Sequence, residues 1–488
     1  MARLARAWPC LVSALLLNLA YAPISLSLLI LVGLVPWLNS LRNAGGKSGF
    51  RSGWTFGFLF LLGQFLWIFT FVNRWVQNPL LALIPYAAAC AAGALYFGLA
   101  GWQVTLCWRQ RMPWGIPLVW AGVEVFRSYI PVLAFPYGLI ATPLWNFPWM
   151  IQTAYFGSIF LVGAWAVLVN VLFCELLGPG SKWKQVRGYV AVSVVLLLAS
   201  WVKYSEPLSD RKIAVTIGQP GVDMAFGDHA TQDQRIAEAV QRFSAQATIN
   251  KSAFLLLPEG ISGDGGEFPP QTHFVLPETV PVVFGGQRSK GTDRFQTAFA
   301  YDGAWSYADK TRLVIFGEYV PFRRQIPFLA DAFRLPGGDL VPGDKVATLK
   351  AGEWTLGPVL CFEGLFPDIA FRQALNGAQI LTVMSVDDWY MGSGAPDQLR
   401  AASVWRAVET GLPLVRSAST GYSMAVNPSG DVIAEIPLRE SRSIRVELAT
   451  AKSGPFPYLP IFPLASLASL IILPIAVAVG EKRNGPRK

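Results

Sequence analysis

Cys361 lies where a cysteine could act as a nucleophile. It ends a short apolar stretch and is followed by Gly364 and Pro367, so the sequence predicts a strand, a turn and the first turn of a helix, with the thiol at the turn. A helix N-terminus at this point would favour the thiolate, which is the reactive form of cysteine. The alternative is a structural cysteine, because free cysteines are among the most buried residues.

Cys361 is the only thiol in the polar half of the chain, which makes it a candidate nucleophile and makes a disulfide scaffold improbable. The chain has two histidines, His229 and His273, and no GxSxG, HExxH, GxGxxG or Walker A motif. We therefore expect no metal ion and no organic cofactor. The other cysteines lie in or beside apolar runs of the N-terminal half: Cys10, Cys90, Cys107 and Cys174.

Two charged residues have the same placement as Cys361, because Glu259 follows the predicted strand 253–257 and Lys310 follows 305–309. Ligands bind at the ends of strands in α/β sheets. A thiol needs a base, and the tetrahedral oxyanion that forms after its attack needs a positive donor. Glu, Lys and Cys supply both without a histidine, although each charge alone could be an ordinary solvated side chain.

The elements that must position these residues lie in one α/β domain of 245 residues, 208–452. Thr231 and Gln234 resemble a capping box at the start of a helix, a second helix is expected near 396–410, and Asn427–Gly430 predicts a hairpin turn. Strands are predicted at residues 212–218, 253–257, 281–284, 296–301, 305–309, 346–349, 379–384, 413–416, 423–426 and 432–435.

The remainder of the chain has the composition of a membrane protein. The whole sequence is 53% hydrophobic and 15% charged, whereas about a quarter of the residues in a soluble protein are charged. We predict a transmembrane domain of about seven helices in 1–207, the catalytic domain in 208–452, and a C-terminal transmembrane helix with a basic tail in 453–488. The eight apolar runs cover residues 8–22, 23–40, 53–73, 79–108, 114–126, 154–178, 187–203 and 458–479.

The basic residues orient these runs. With the N-terminus inside, fourteen Lys and Arg residues fall on the inner side, and Arg74 and Arg127 fall in outer loops. This places 208–452 outside the cytoplasm and makes nucleic acid a poor explanation for the net charge of +9. The first run resembles a signal peptide, but Pro23 would hinder cleavage, so we expect a retained helix. The inner basic residues are Arg3, Arg6, Arg42, Lys47, Arg51, Arg109, Arg111, Lys182, Lys184, Arg187, Lys482, Arg483, Arg487 and Lys488.

The three candidate residues lie in the segments Leu256–Gly260, Asp309–Pro321 and Leu360–Glu363, and each is 51 residues from the next. These segments resemble the Glu–Lys–Cys triad of the nitrilase superfamily. Together with the polytopic N-terminal half and the single C-terminal helix, they resemble the apolipoprotein N-acyltransferase family over essentially the whole chain. The resemblance extends to Arg406–Glu409, Pro413–Arg416 and Thr420–Gly421.

The resemblance implies an αββα sandwich in which Glu259 is the general base, Lys310 stabilises the oxyanion and Cys361 is the nucleophile, supported by Glu318 and Glu363. It implies transfer of the sn-1 acyl chain of a membrane phospholipid, usually phosphatidylethanolamine, to the amine of a diacylglyceryl-cysteine at a bacterial lipoprotein N-terminus. The enzyme would lie in the bacterial inner membrane, with its catalytic domain on the periplasmic face. Because both substrates are bulky lipids, we predict a two-step reaction through a thioester on Cys361.

The chain departs from the family pattern at several positions. Arg312 replaces a common His, Ile315 a common Pro, Val386 an Asn and Phe362 a Tyr, and Phe226 lies in a loop where a Trp is usual. These departures leave the triad intact and affect residues near the substrate. Substrate contacts are expected from Phe226, Phe362, Trp389 and Tyr390.

Two further segments, Trp145–Trp149 and Ile326–Leu335, are candidates for lipid contact, and packing in a core or at the membrane interface is the alternative for both. Two other functions stay open. One is a membrane-anchored nitrilase-type amidase, for which a single anchor would suffice. The other is a transporter or receptor with a degenerate external domain, which the intramembrane Glu124 and Glu175 would suit.

Overall fold

The structure of the protein is a computed structural model that describes residues 2–178, 183–226, 228–262, 265–323, 325–326, 338–452 and 454–484.

The chain divides into two compact units. The first unit comprises residues 1–206, 390–398 and 456–488, and the second comprises 207–389 and 399–455. Buried hydrophobic side chains occur in both units.

Within the described ranges the chain forms thirteen α-helices and twelve strands. The helices are α1 (Ala2–Ala20), α2 (Val35–Ser40), α3 (Gly46–Gln64), α4 (Leu66–Val76), α5 (Pro79–Arg109), α6 (Ile116–Tyr129), α7 (Pro148–Ile151), α8 (Ala154–Leu177), α9 (Trp183–Tyr204), α10 (His229–Ile249), α11 (Pro367–Leu375), α12 (Ala395–Thr410) and α13 (Ile461–Asn484). The strands are β1 (Lys212–Gln219), β2 (Phe254–Leu256), β3 (Val282–Lys290), β4 (Asp293–Tyr301), β5 (Trp305–Asp309), β6 (Leu349–Ala351), β7 (Trp354–Leu360), β8 (Ile380–Ser385), β9 (Leu414–Ala418), β10 (Ser423–Val426), β11 (Val432–Ile436) and β12 (Arg442–Ala449).

The first unit contains the apolar helices. Among the described residues, α5, α8, α9 and the Ile461–Val479 part of α13 are long and apolar enough to cross a membrane. The pair α3 and α4, bent by 54° at Phe65, would make a fifth span. The run predicted at 23–40 is instead a short 3-10 helix, Ser27–Leu31, followed by the six residues of α2. Length and composition therefore identify four or five spans in the described residues and do not confirm the eight predicted from the sequence.

Close packing of α3 against α5 depends on glycine. A Cβ atom at Gly53 would lie 2.1 Å from the carbonyl oxygen of Phe97, and one at Gly101 would lie 2.3 Å from the carbonyl oxygen of Gly49. Small residues permit such close approach of helix backbones in a membrane, where dispersion contacts replace the hydrophobic effect as the driving force.

Helix α6 contains a buried ion pair. The Glu124 carboxylate lies 3.9 Å from the Arg127 guanidinium and accepts a hydrogen bond of 2.7 Å from the backbone N–H of Ile140. Arg127 donates to the carbonyls of Tyr137 and Gly138 at 2.7 and 2.8 Å. The sequence-based assignment of Arg127 to an outer loop is therefore wrong. This residue lies inside α6, and its hydrogen bonds hold the segment that contains Tyr137 and Gly138.

Residues 390–398 belong to the first unit, although they interrupt the second unit in sequence. Tyr390 packs edge-on against Trp67, with ring centroids 5.2 Å apart. The Gln398 amide accepts from the Gly138 backbone N–H at 2.9 Å and donates to Gln64 at 3.1 Å. Nothing in the sequence of this short segment distinguishes it from its neighbours.

The second unit is built on two six-stranded sheets. The strand order is β12-β1-β2-β3-β4-β5 in the first sheet and β11-β10-β9-β8-β7-β6 in the second. In each sheet three adjacent strands are parallel, β1-β2-β3 in one and β7-β8-β9 in the other, and the outer strands pair antiparallel. The sheets pack face to face around one apolar core, to which Val215, Phe254 and Val283 contribute from the first sheet and Leu356 and Met384 from the second.

Helices cover the outer face of each sheet. On the first sheet, α10 packs Ile236, Val240 and Phe243 against Leu255 and Phe284, which confirms the apolar face predicted for this helix. On the second sheet, α11 packs on β7. The order of layers is helix, sheet, sheet, helix, as expected for an αββα sandwich.

Two sequence predictions fail at element boundaries. Helix α10 begins at His229, with the Asp228 side chain accepting from the Thr231 backbone N–H at 3.0 Å, so Asp228 and not Thr231 caps the helix. Strand β12 was not predicted, although Ile444, Val446 and Leu448 alternate with polar residues as they would in a half-buried strand. This strand pairs with β1 at the edge of the sheet, where charged side chains reach solvent.

Candidate active site

Three strands end at one buried group of polar side chains. Glu259 follows β2, Lys310 directly follows β5, and Cys361 directly follows β7. The exposed fractions of the three residues are only 4%, 1% and 5%. The structure thus brings together, from both sheets, the carboxylate, ammonium and thiol that the sequence singled out.

The backbone at Cys361 is strained. Its φ is +46°, in the left-handed region that residues other than glycine rarely adopt, and a 3-10 helix Cys361–Leu365 follows before α11 begins at Pro367. The predicted strand, turn and helix around the thiol are confirmed. A sharp turn of this kind presents a nucleophile at the end of its strand.

Glycine also positions the carboxylate. Gly285 in β3 lies beside Glu259, and a Cβ atom at Gly285 would lie 2.7 Å from the Glu259 Cα. Only glycine allows the two backbones this approach. The sequence did not reveal this role, because Gly285 belongs to a glycine pair within an ordinary apolar strand.

Lys310 lies between two carboxylates. Its Nζ is 2.6 Å from Glu318 Oε1 and 3.6 Å from Glu259 Oε1. The second oxygen of Glu318 accepts from the Val314 backbone N–H at 2.7 Å, which fixes the loop that carries it. Glu318 therefore holds the ammonium in place, and Glu259 stays close to it without a short hydrogen bond.

These contacts shift the pKa of both partners. Burial would lower the pKa of Lys310, but Glu259 and Glu318 outweigh this effect and raise it above its ordinary value, so the ammonium stays charged. Burial disfavours the charged carboxylate and raises the pKa of Glu259 to about 7. Lys310 acts in the opposite direction, but the negative charges of Glu318 and Glu363 offset part of its effect. A carboxyl that titrates near neutral pH can both accept and return a proton.

The Cys361 thiol is protonated in the resting site. Burial and the negative charge of Glu259 raise its pKa to about 12, although Lys310 and a hydrogen bond with Ser385 act in the opposite direction. The prediction that a helix N-terminus would favour the thiolate is therefore wrong. The five-residue 3-10 helix does not compensate for burial next to carboxylates, so the thiol needs a base.

Glu363 joins the loop after β5 to the turn at Cys361. One of its oxygens accepts from Thr311 N at 2.7 Å, Thr311 Oγ1 at 2.9 Å and Arg312 N at 3.1 Å. The other accepts from Leu360 N at 3.1 Å. Because Thr311 follows Lys310 and Leu360 precedes Cys361, this one carboxylate fixes the ammonium and the thiol relative to each other.

The four aromatic residues expected at the substrate each pack against another aromatic ring. Phe226 and Trp389 pack against each other with ring centroids 5.8 Å apart. Phe362 is 2% exposed and packs on Phe366 at 5.1 Å. Tyr390 belongs to the first unit and packs on Trp67 there.

The structure describes the two segments proposed for lipid contact to different extents. Trp149, in the segment Trp145–Trp149, packs edge-on against Trp201 of α9, with centroids 6.3 Å apart. Ile326 is exposed, and the rest of the segment Ile326–Leu335 lies outside the described residues.

Sequence reasoning missed the buried ion pair between Asp387 and Arg416. Arg416 Nη2 lies 2.7 and 2.6 Å from the two carboxylate oxygens of Asp387, and Arg416 Nε donates to the Tyr422 carbonyl at 2.9 Å. Ser385 Oγ donates to Asp387 at 2.6 Å. No local pattern links the two residues, because their contact depends on the parallel pairing of β8 with β9, in which Arg416 lies opposite Val383.

Arg312 and Val386, at which the chain departs from the family pattern, both contact other residues of the second unit. Arg312 pairs with Asp368 at 2.8 Å and lies over the Phe366 ring, with its guanidinium carbon 4.6 Å from the centroid. Val386 is 8% exposed, with its side chain close to Gly260. Ile315 pairs with Tyr319 across the turn that carries Glu318.

His, Cys, Asp and Glu side chains form no group of three that could hold a metal ion anywhere in the described ranges.

Comparison with known proteins gives two family matches. Residues 13–172 match the apolipoprotein N-acyltransferase N-terminal domain, and residues 295–458 match the carbon-nitrogen hydrolase family. The second match includes Lys310 and Cys361. It identifies the second unit as a nitrilase-like domain.

Relatives match this chain along most of their length. The apolipoprotein N-acyltransferase of Geobacter metallireducens is 26% identical over 91% of this chain and 89% of its own length, and that of Rhizobium etli is 28% identical over 86% and 85%. Among solved structures, Nit3 of Saccharomyces cerevisiae, a member of the nitrilase superfamily, is 17% identical, with a TM-score of 0.38 over 58% of this chain and 98% of that chain. With both domain matches in their expected order and relatives matched along nearly their whole length, this chain belongs to the apolipoprotein N-acyltransferase family.

Proposed function

We infer that this protein transfers an acyl chain from a membrane phospholipid to the N-terminal amine of a diacylated apolipoprotein, through a thioester on Cys361. The observation that carries this inference is the buried group in which Lys310 lies between Glu259 and Glu318, beside a thiol at the end of β7. The apolar helices of the first unit support a substrate that resides in the bilayer.

In the first step Glu259 takes the thiol proton of Cys361, and the sulfur attacks the sn-1 ester carbonyl of the phospholipid. Negative charge develops on the carbonyl oxygen, and the fixed ammonium of Lys310 stabilises it. The C–O bond of the ester then breaks, and Glu259 returns its proton to the departing oxygen. The products are a lysophospholipid and an acyl thioester on Cys361.

In the second step the amine of the diacylglyceryl-cysteine attacks the thioester. Glu259, again deprotonated, accepts a proton from the amine, and Lys310 stabilises the second oxyanion. The C–S bond breaks, the sulfur takes the proton from Glu259, and the product is an amide. Because the two bulky lipids react in turn, one site serves both of them.

The donor we propose is phosphatidylethanolamine. Phe226 and Trp389 are the proposed aromatic contacts for its acyl chain, since they pack together in the second unit and follow the strands β1 and β8. Phe362 and Tyr390 are proposed as further substrate contacts, with Phe362 adjacent to the nucleophile.

We propose that the protein lies in the bacterial inner membrane with about eight crossings, both termini in the cytoplasm and the catalytic unit on the periplasmic face. The asymmetry of basic residues supports this, and it is stronger than the sequence alone indicated because Arg127 is buried within α6. Alkaline phosphatase fused after Tyr204 should be active, and fused after Lys488 it should be inactive. The reverse pattern would contradict the orientation.

The test of the function is a transfer assay in phospholipid nanodiscs. A synthetic diacylglyceryl-cysteine peptide should gain one acyl chain in an amide bond, measured by tandem mass spectrometry. The same peptide with an acetylated N-terminus is the matched control and should gain none. Release of free fatty acid without any acylated peptide would instead indicate a hydrolase, and the transferase assignment would then be wrong.

A further inference from the structure

An apolar cavity of about 430 Å³ lies between α6, α8 and α9 of the first unit. Its volume is within the range of about 300–1,000 Å³ that small-molecule sites occupy. Aliphatic side chains from all three helices line it, among them Leu118, Leu161, Leu168, Val192 and Leu196. The lining favours a hydrocarbon chain over water.

Three polar atoms in the lining have no hydrogen-bond partner among the residues that the structure describes: Trp165 Nε1, Tyr189 Oη and Gln185 Oε1. Trp165 and Tyr189 are only 5% and 7% exposed. A buried polar group without a partner costs about 1–3 kcal/mol. The indole N–H and the phenol O–H are both donors, so their complement is a ligand with an acceptor oxygen next to a hydrocarbon chain.

The end of the cavity near Gln185 is basic. Lys184 and Arg187 are exposed beside it on α9, and Arg111 is exposed three residues before the lining residue Trp114. The nearby acid Glu175 is paired with Arg42 at 2.9 Å, so it does not cancel these charges. An anionic group at this end would be attracted.

We propose that this cavity holds one acyl chain of an anionic phospholipid, with an ester carbonyl accepting hydrogen bonds from Trp165 and Tyr189 and the phosphate beside Lys184 and Arg187. Helices α8 and α9 are long and apolar enough to cross a membrane, so such a lipid is at hand. None of the lining groups is a nucleophile. The lipid is therefore bound and not consumed, which separates this site from the acyl donor that reacts at Cys361.

Gly188 offers a direct test, because it lines the cavity and a Cβ atom there would meet no other atom within 4 Å. Gly188→Leu should fill the space without a clash. The matched control is Val190→Leu, at a 43% exposed position on the opposite side of α9. Tyr189→Phe removes only the hydroxyl.

The experiment uses the full-length protein in phosphatidylcholine nanodiscs that contain a trace of phosphatidylglycerol with a diazirine in its acyl chain. After illumination, labelled peptides are mapped by mass spectrometry. We expect labels in 114–118, 161–168 and 185–196, and an approximately tenfold loss in Gly188→Leu, equivalent to about 1.4 kcal/mol of binding free energy. Val190→Leu and Cys361→Ala should label like the unaltered protein, and Tyr189→Phe should label less.

If Gly188→Leu and the unaltered protein are labelled equally and have equal thermal stability, the label comes only from annular lipid. The proposal that the cavity binds a lipid would then be wrong. Equal labelling by a phosphatidylcholine probe would overturn the anionic preference. Loss of the label in Cys361→Ala would show that the lipid is the acyl donor. The transfer assay is run on the same variants. It measures the proposed acyltransferase activity independently of lipid labelling, so a failure of one proposal can be distinguished from a failure of the other.

Discussion

Two buried groups of charged side chains in the second unit differ in how many carboxylates share one cation. Arg416 faces a single carboxylate, Asp387, and contacts both of its oxygens. Lys310 faces Glu259 and Glu318, and its charge also acts on Glu363. The first group is electrically balanced, whereas the second has more negative than positive groups. A balanced pair holds structure, and an excess of buried carboxyl groups retains a proton that chemistry can use.

The comparison predicts that Arg416→Met affects stability most. It leaves the Asp387 carboxylate buried without its partner, a loss on the order of 3–5 kcal/mol. Thermal unfolding in detergent measures this. Arg445→Met is the control, since Arg445 and Glu447 form a solvent-exposed pair that contributes little to stability. Equal melting temperatures for both variants would remove the distinction between the two groups.

Lys310→Met should affect turnover more than any change in the balanced pair that leaves the protein folded. Loss of one oxyanion donor typically costs about 10²–10³-fold in rate, or roughly 2.7–4 kcal/mol. The single-turnover rate of acyl transfer measures this. Lys350→Met, at an exposed position, is the control and should keep the normal rate. A folded Lys310→Met protein with normal turnover would show that this ammonium does not stabilise the oxyanion.

The excess of carboxyl groups predicts the pH dependence of thiol acylation. Glu259 has a pKa raised to about 7, so it is protonated below that pH and cannot accept the thiol proton. The acylation rate should rise about tenfold between pH 6 and pH 8, following the fraction of deprotonated Glu259. The thiol, with its pKa raised to about 12, stays protonated throughout this range and adds no second inflection.

The control for this profile is Glu259→Gln, which should be slow at every pH and lose the inflection. A rate that is flat from pH 6 to pH 8 in the unaltered protein would show that Glu259 is not the base.

The smallest effect is expected at the neutral pair Phe226 and Trp389. Edge-to-face aromatic pairs contribute about 0.5–1.5 kcal/mol beyond the area that they bury. A double-mutant cycle with Phe226→Ala and Trp389→Ala, measured on the KM for phospholipid, should give a coupling of this size. Strictly additive effects would place the two residues in separate roles.

The sequence predicted the strand ends that carry Glu259, Lys310 and Cys361, because apolar stretches that stop at a polar residue report both burial and position. It also predicted the turn and helix after Cys361 from Gly364 and Pro367. These are local signals. Each depends on a few adjacent residues, and the structure confirms the elements they describe.

The rest depends on contacts between residues distant in sequence. The Asp387–Arg416 pair requires the register of β8 against β9, and the role of Gly285 requires β3 to lie beside the chain at Glu259. The raised pKa of Cys361 follows from burial among carboxylates, which local helix rules do not include. The apolar run 23–40 was predicted as one helix for a related reason: it is apolar throughout but is broken into two short helices.

The central claim is that the unaltered protein forms a thioester on Cys361 before it meets the acceptor. The most direct measurement is the intact mass of the protein, and the amount of lysophospholipid released, after mixing with phosphatidylethanolamine alone. We predict a rapid release of about one lysophospholipid per active site and one acyl group that hydroxylamine removes. Cys361→Ala should show neither, and Cys107→Ala, which removes another buried thiol, should show both. If lysophospholipid appears only when the acceptor is also present and Cys361 never gains mass, transfer is direct and the covalent account is wrong.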